Sequence, residues 1–166
     1  MALSEHYLTD DLHPIDIVEN VAAHNDWQFD RSGDDHITLE VEGQWRTYSI
    51  TLVWSHRDET LRMGCTFEMD PPPNKLPELY EMLNQVNDQC WVGAFTYWAE
   101  EKMMIYRYCL LMCGGQGAGP EQIDAMISNG VLAAERYYPA FQMVLWANRA
   151  PRDAMQVAIA QAYGRA

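Results

Sequence analysis

The stretch that decides the fold is residues 36–69, with the sequence HITLEVEGQWRTYSITLVWSHRDETLRMGCTFEM. Apolar and polar side chains alternate through three runs of it, and this period of two is typical of strands that bury one face. Two short polar connections, at 42–44 and 55–59, separate the runs. Strands joined by such short connections pair antiparallel, so the stretch predicts a β-meander.

The segments that flank this meander predict further elements on both sides. PIDIVENVAAHN (14–25) has its apolar residues on one helical stripe, and WQFD (27–30) alternates as a short first strand. The run DPPP (70–73) ends the meander, because proline cannot donate a hydrogen bond to a neighbouring strand. KLPELYEMLNQVN (75–87) then returns to helical spacing.

The second half of the chain predicts two more strands and two more helices. WVGAFTYW (91–98) and MMIYRYCLLMC (103–113) are the strands, joined by the tight turn AEEK. A long helix opens at Pro120, and Pro139 within it is expected to kink or break it. A short helix follows at about 152–163.

The predicted order is therefore α-ββββ-α-ββ-α-α. Strands grouped in runs indicate an α+β fold, here an antiparallel sheet of five to six strands flanked by helices, and they exclude a Rossmann-type fold. Residues 1–13 are rich in Ser, Glu, Thr and Asp and predict a flexible N-terminal tail. Residues 14–166 contain no repeat or linker that would divide them, so they predict a single domain.

Charge and hydropathy exclude several classes of partner. The chain has 166 residues and a formal net charge of −13, whereas binding to nucleic acid or to an anionic membrane needs a basic surface. No apolar stretch reaches the ~18–20 residues of a spanning helix. The N-terminus has neither the basic region nor the apolar core of a secretory signal. We therefore expect a cytoplasmic protein.

The predicted strand 103–113 is apolar on both faces, apart from Arg107. An antiparallel sheet with a solvated back shows one polar face, so something is expected to cover each side of this strand. Either a C-terminal helix of the same chain or a protein partner could cover the second side, and a homodimer alone would satisfy it. Because adaptable binding surfaces use Met and aromatic residues, the candidate interaction surface is Trp54, Phe95, Trp98, Tyr106, Arg107 and Tyr108.

One strand–loop–helix connection is a candidate site for binding a small anion. The Gly-rich segment GGQGAG (114–119) precedes a helix, where backbone amides can hold an anion, but it matches neither nucleotide-binding glycine motif. Arg107 could anchor a carboxylate or take part in an internal ion pair. A small-anion binder or enzyme that uses this loop and Arg107 is the alternative function.

The remaining reactive residues predict no catalytic residue, metal or cofactor. The chain has no nucleophile motif, and its five histidines show no metal-ligand spacing. The acids of Asp10-Asp11 and Asp34-Asp35-His36 are expected to be solvated. No C-x-x-C pair is present, and three cysteines at apolar strand positions are expected to be buried free thiols: Cys65, Cys109 and Cys113.

Several motifs together carry a resemblance to a known family. With the leading amphipathic helix, they are MDPPPNKLPELYEMLNQVN (69–87), VGAF (92–95), YRY (106–108) and YPAFQMV (138–144). The sequence resembles the YbjN family of bacterial sensory-transduction regulators over roughly 14–147. Four residues match positions that recur in that family: Asn87, Gly93, Phe95 and Arg107.

The resemblance implies a fold like that of the class I type III secretion chaperones, which are acidic, dimeric α+β proteins. It implies a cytoplasmic homodimer that binds a protein or peptide client or holds a regulatory complex, and it carries over no catalytic residue. The first hypothesis is therefore a non-enzymatic, chaperone-like or regulatory protein-binding domain in bacterial signalling or stress regulation.

Overall fold

Four helices pack on one face of a six-stranded antiparallel sheet in the computed structural model, which describes residues 12–114 and 117–164. The sheet order is β1-β2-β3-β4-β6-β5, and every neighbouring pair is antiparallel. The elements are α1 (Pro14–His24), β1 (Gln28–Arg31), β2 (His36–Glu42), β3 (Thr47–Ser55), β4 (Thr60–Glu68), a 3-10 turn (Pro73–Lys75), α2 (Leu76–Gln89), β5 (Ala94–Trp98), β6 (Met103–Leu111), α3 (Pro120–Leu145) and α4 (Pro151–Tyr163).

This order confirms the predicted α-ββββ-α-ββ-α-α fold, and the likeness to secretion chaperones stays a prediction. Within the described residues, none of the helices has the length and apolar character needed to cross a membrane. The predicted tail lies largely outside the described residues, but its last residue, His13, is the N-cap of α1. Its Nδ1 accepts a hydrogen bond from the backbone N–H of Ile15.

The core forms between the helices and one face of the sheet. Alternate residues of β2, β3 and β4 point into it, as the period of two predicts. Helix α1 packs on β1, β2 and β3, α3 packs on β4 and β6, and α2 packs on β5, while α4 packs on α2 and α3. Cys65 lies in this core, as predicted, but Cys109 and Cys113 are exposed, so the prediction of burial was wrong for both.

The long helix α3 continues through Pro139, where the sequence predicted a kink or a break. Proline removes one backbone hydrogen bond from a helix, so another interaction has to hold the chain in place. Buried residues on both sides of Pro139 supply that packing: Ala134, Tyr137, Ala140 and Phe141. The helix is therefore not broken at this position.

A carboxylate of α3 fixes the turn between β2 and β3. Glu135 accepts hydrogen bonds from the Tyr48 hydroxyl at 2.6 Å and from the backbone N–H groups of Gln44 and Trp45 at 2.8 and 3.2 Å. A side chain at Gly43 would collide with this carboxylate, since a Cβ there would lie 2.3 Å from Glu135 Oε1. Burial and the hydrogen bond to Glu135 raise the pKa of Tyr48 well above its ordinary value.

Candidate functional site

The sheet face opposite the helices is the candidate site, and we call it the open face. Its residues on β6 are Met103, Ile105, Arg107, Cys109 and Leu111, which alternate with residues that point into the core. The two predicted apolar faces of this strand are therefore real. The alternative that a C-terminal helix covers the second face was wrong for the described part of the chain, because α3 and α4 lie on the same side as α1 and α2.

An apolar strip crosses the open face where β6 meets β5. Met103 pairs with Trp98, whereas Ile105 pairs with Thr96 on one side and Thr66 on the other and is itself only 6% exposed. Trp98 is 45% exposed, although it is a large apolar residue. Trp98, Met103 and Thr66 line a shallow groove of about 550 Å³, together with the turn 99–101.

Arg107 is a cation on this face, as is Arg62 of β4, which pairs with Cys109 of β6. Arg107 is exposed on β6 and lies between Gly64 of β4 and Ala94 of β5, two residues too small to cover it. In residues 12–114 and 117–164, its guanidinium has no ion pair or hydrogen bond. By contrast, Arg31 binds Asp16 and Glu19 at 2.7 and 2.8 Å. The internal ion pair considered from the sequence is therefore not found for Arg107 within these ranges.

The six residues of the predicted interaction surface lie on both sides of the sheet. Trp98 and Arg107 lie on the open face, whereas Trp54 and Tyr108 are half-buried against the core. Phe95 and Tyr106 are only 2% and 3% exposed, and their ring centroids are 5.0 Å apart within the core. Burial raises the pKa of Tyr106 to about 12. Phe95 and Tyr106 therefore have no surface to offer a partner in this fold, which corrects their placement.

Three of the four residues that carried the family resemblance have a structural role. The Asn87 side chain donates to the Phe95 carbonyl at 3.0 Å and accepts from the Phe95 N–H at 2.7 Å, which ties the end of α2 to β5. Gly93 lies against the Tyr106 ring, where a Cβ would come within 2.5 Å of the phenol. Arg107 is the member of the set to which no such role can be given among the described residues.

The Gly-rich loop 114–119 is described only in part, because residues 115 and 116 lie outside the described residues. Its described end leads into α3, next to a groove of about 500 Å³ lined by Glu121 and Asp124 among others. Two carboxylates repel an anion, so this groove does not favour phosphate binding. The anion-binding alternative stays a prediction.

The structure brings together a second group of side chains that the sequence analysis did not connect. His13, Asp35 and His56 each place one ligand atom within 4.8 Å of the others. No local motif could reveal this group, because the three residues precede α1, precede β2 and follow β3. The β2–β3 hairpin could have indicated half of it, since its register brings Asp35 beside Trp54 and hence near His56.

The fold is thus an α+β domain with helices on one face of an antiparallel sheet and the other face open. A solved structure with this fold is "Crystal structure of YbjN, a putative transcription regulator from E. coli", which matches with a TM-score of 0.55 and 11% sequence identity over 75% of this chain and 90% of that chain. At 11% identity, this likeness concerns the fold alone.

The sequence comparisons give the family. Among curated proteins, no significant match to the chain is found. The family model of YbjN, described as "Putative bacterial sensory transduction regulator", matches residues 14–143. The chain therefore belongs to the YbjN family, and the expected resemblance is confirmed. Membership in a family described in these terms is consistent with a regulatory role.

Proposed function

We propose that this chain is a non-enzymatic, cytoplasmic regulatory domain that binds polypeptides on its open face, with a second copy of the chain as its first partner. The observation that carries the proposal is an exposed Arg107 that has no counter-ion among the described residues, on the same face as the apolar side chains of Met103 and Trp98. Apolar side chains supply the contact area of an interface, and an arginine adds direction by binding a carboxylate at two points.

The absence of a structural role supports a recognition role for Arg107. The other three residues of its set hold the fold together, whereas the Arg107 guanidinium makes no contact of that kind in the described parts of the chain. When a partner supplies a hydrogen-bond acceptor to an unpaired guanidinium on a sheet face, the new interaction stabilises the complex.

The acidic composition of the chain supports a second copy as the source of the carboxylate that binds Arg107. With 24 Asp and Glu residues against 11 Lys and Arg, the protein carries many acceptors for a cation. Glu68, Glu100 and Glu101 border the same strip of the open face. A two-fold axis places the same face of both copies together, so Arg107 of one copy can bind a carboxylate of the other.

The exposed thiols of Cys109 and Cys113 support the cytoplasmic part of the proposal, because free thiols persist in a reducing compartment. The formal net charge of −13 supports a polypeptide rather than a nucleic acid as the partner. A peptide or protein client would use the same strip of apolar residues.

The test is the molar mass in solution, measured by light scattering across a dilution series. The proposal expects a mass near twice 19.1 kDa that falls toward 19.1 kDa on dilution. Arg107→Glu should shift this transition to higher concentration, by at least about tenfold if a desolvated ion pair worth about 1.5 kcal/mol is lost.

The matched control is Arg152→Glu, which makes the same charge change at an exposed position of α4. A wild-type protein that stays monomeric at every concentration would overturn the second copy as partner. Equal weakening by both variants would show that overall charge, and not the open face, governs the association.

A further inference from the structure

Three side chains that can bind a metal ion meet where the residue before α1 lies close to the β1–β2 and β3–β4 connections. His13 is the N-cap of α1, Asp35 directly precedes β2, and His56 follows β3. One ligand atom from each lies within 4.8 Å of the other two. The group is separate from the residues of the open face and does not depend on the proposed function.

The distances fit a single small cation. Asp35 Oδ1 lies 3.0 Å from His13 Nε2 and 2.9 Å from His56 Nε2. Two ligand atoms bound to one zinc ion at about 2.0–2.1 Å lie about 3.3 Å apart in tetrahedral geometry. The carboxylate oxygen therefore already stands at a suitable distance from both imidazoles, and His56 is exposed enough to adjust.

We propose that His13, Asp35 and His56 form a binding site for a divalent transition-metal ion of the zinc class. Imidazole nitrogen favours this class, whereas Mg²⁺ and Ca²⁺ take oxygen ligands. Three protein ligands leave a fourth position for water or for an atom from a bound molecule. The side chains are 27%, 41% and 68% exposed, in chain order, so an ion can reach them from solvent.

The hydrogen bonds behind the two imidazoles determine how tightly the ion binds. Ile15 N–H donates to His13 Nδ1, and the Trp54 indole N–H donates to His56 Nδ1, each at 3.2 Å. In the metal-free protein both Nδ1 atoms are therefore acceptors, and each Nε2 carries the proton that it donates to Asp35.

Coordination through Nε2 displaces these two protons. In a neutral imidazole the proton then resides on Nδ1, where it faces the N–H groups of Ile15 and Trp54 instead of an acceptor. Metal binding thus breaks both hydrogen bonds, which lowers the affinity. Removal of the indole N–H from Trp54 relieves half of this conflict, so Trp54→Phe should bind the ion more tightly than the wild type.

The experiment is calorimetric titration of the metal-free full chain with Zn²⁺, accompanied by the absorption spectrum with Co²⁺. We expect one saturable ion per chain and absorption bands of Co²⁺ with nitrogen ligands. His56→Ala and Asp35→Asn should each weaken binding at least about tenfold, because each removes one of three ligands. Excess Mg²⁺ should not displace the ion.

His24→Ala is the matched control, since it removes an exposed histidine from the end of α1 and leaves the three ligands intact. Its affinity should equal that of the wild type. A tenfold loss of affinity in Trp54→Phe would refute the proton arrangement on which the site is argued. Equal binding to wild type, His56→Ala and Asp35→Asn, or displacement by Mg²⁺, would show only attraction to an acidic surface and overturn the site.

Discussion

Adjacent residues on the two faces of β6 lie in opposite environments, one buried and one exposed. Tyr106 is buried against Phe95 in the core, and Arg107, its neighbour in sequence, is exposed on the open face without a counter-ion in the described ranges. Both faces are largely apolar in sequence, but only one receives the helices. The comparison separates residues that the fold requires from residues that are free to serve a partner.

The largest expected effect lies on the core side. Tyr106→Ala removes a buried aromatic ring beside Phe95 and Gly93, so the free energy of unfolding should fall by about 3–5 kcal/mol. Trp98→Ala, on the open face, should lower the free energy of unfolding much less. Urea denaturation of both variants measures this difference. A similar loss for Trp98→Ala would mean that the open face is covered in the protein as it exists in solution.

A smaller loss is expected where α2 joins β5. Asn87→Ala removes both hydrogen bonds that the side chain makes with the backbone of Phe95, and the free energy of unfolding should fall by about 1–3 kcal/mol. Asn84→Ala, an exposed position on the same helix, is the control. Equal stability of the two variants would show that the contact with Asn87 contributes nothing to the fold.

The core side should also respond to alkaline pH. Burial raises the pKa of Tyr106 to about 12, whereas an unfolded tyrosine ionises near pH 10. The folded state therefore holds this proton more tightly, and its contribution to stability is complete below pH 10 and is lost as the pH rises toward 12.

Tyr106→Phe removes this ionisation, so its stability should fall less steeply between pH 10 and 12 than that of the wild type. Thermal unfolding across this pH range gives the measurement. Tyr80→Phe, which removes an exposed phenol, is the control. Parallel curves for the wild type and Tyr106→Phe would contradict the prediction.

The sequence predicted the fold well because the decisive signals are local. Alternation in 36–69 sets the meander, and the prolines at 71–73 end it. The alternation also sorted the residues of β6 into two faces correctly. It could not say which apolar face the helices cover, since that depends on the path of the chain after Pro120, and Phe95 and Tyr106 were therefore placed on a surface.

The contacts that connect distant elements could not be predicted from the sequence either, because they too depend on how the elements pack. Glu135 fixes a turn that is 90 or more positions away, and nothing in its own segment indicates this contact. His13 and His56 likewise meet only through the packing of α1 beside the β2–β3 hairpin. Interactions set by tertiary packing leave no periodic signal in the sequence.

The smallest expected effect on stability is the one that tests the comparison most sharply. Arg107→Ala removes an exposed side chain without a partner in the described residues, so the free energy of unfolding should change by less than about 0.5 kcal/mol. Denaturation has to be followed at a concentration where the protein is monomeric, because association itself adds stability. Arg31→Ala, which removes two ion pairs between β1 and α1, is the contrast and should lower the free energy of unfolding more. A destabilisation by Arg107→Ala as large as that of Arg31→Ala would show that Arg107 has a structural partner within the chain. In that case the residue belongs with Asn87, Gly93 and Phe95 among those that the fold requires, and a recognition role would lose its main support.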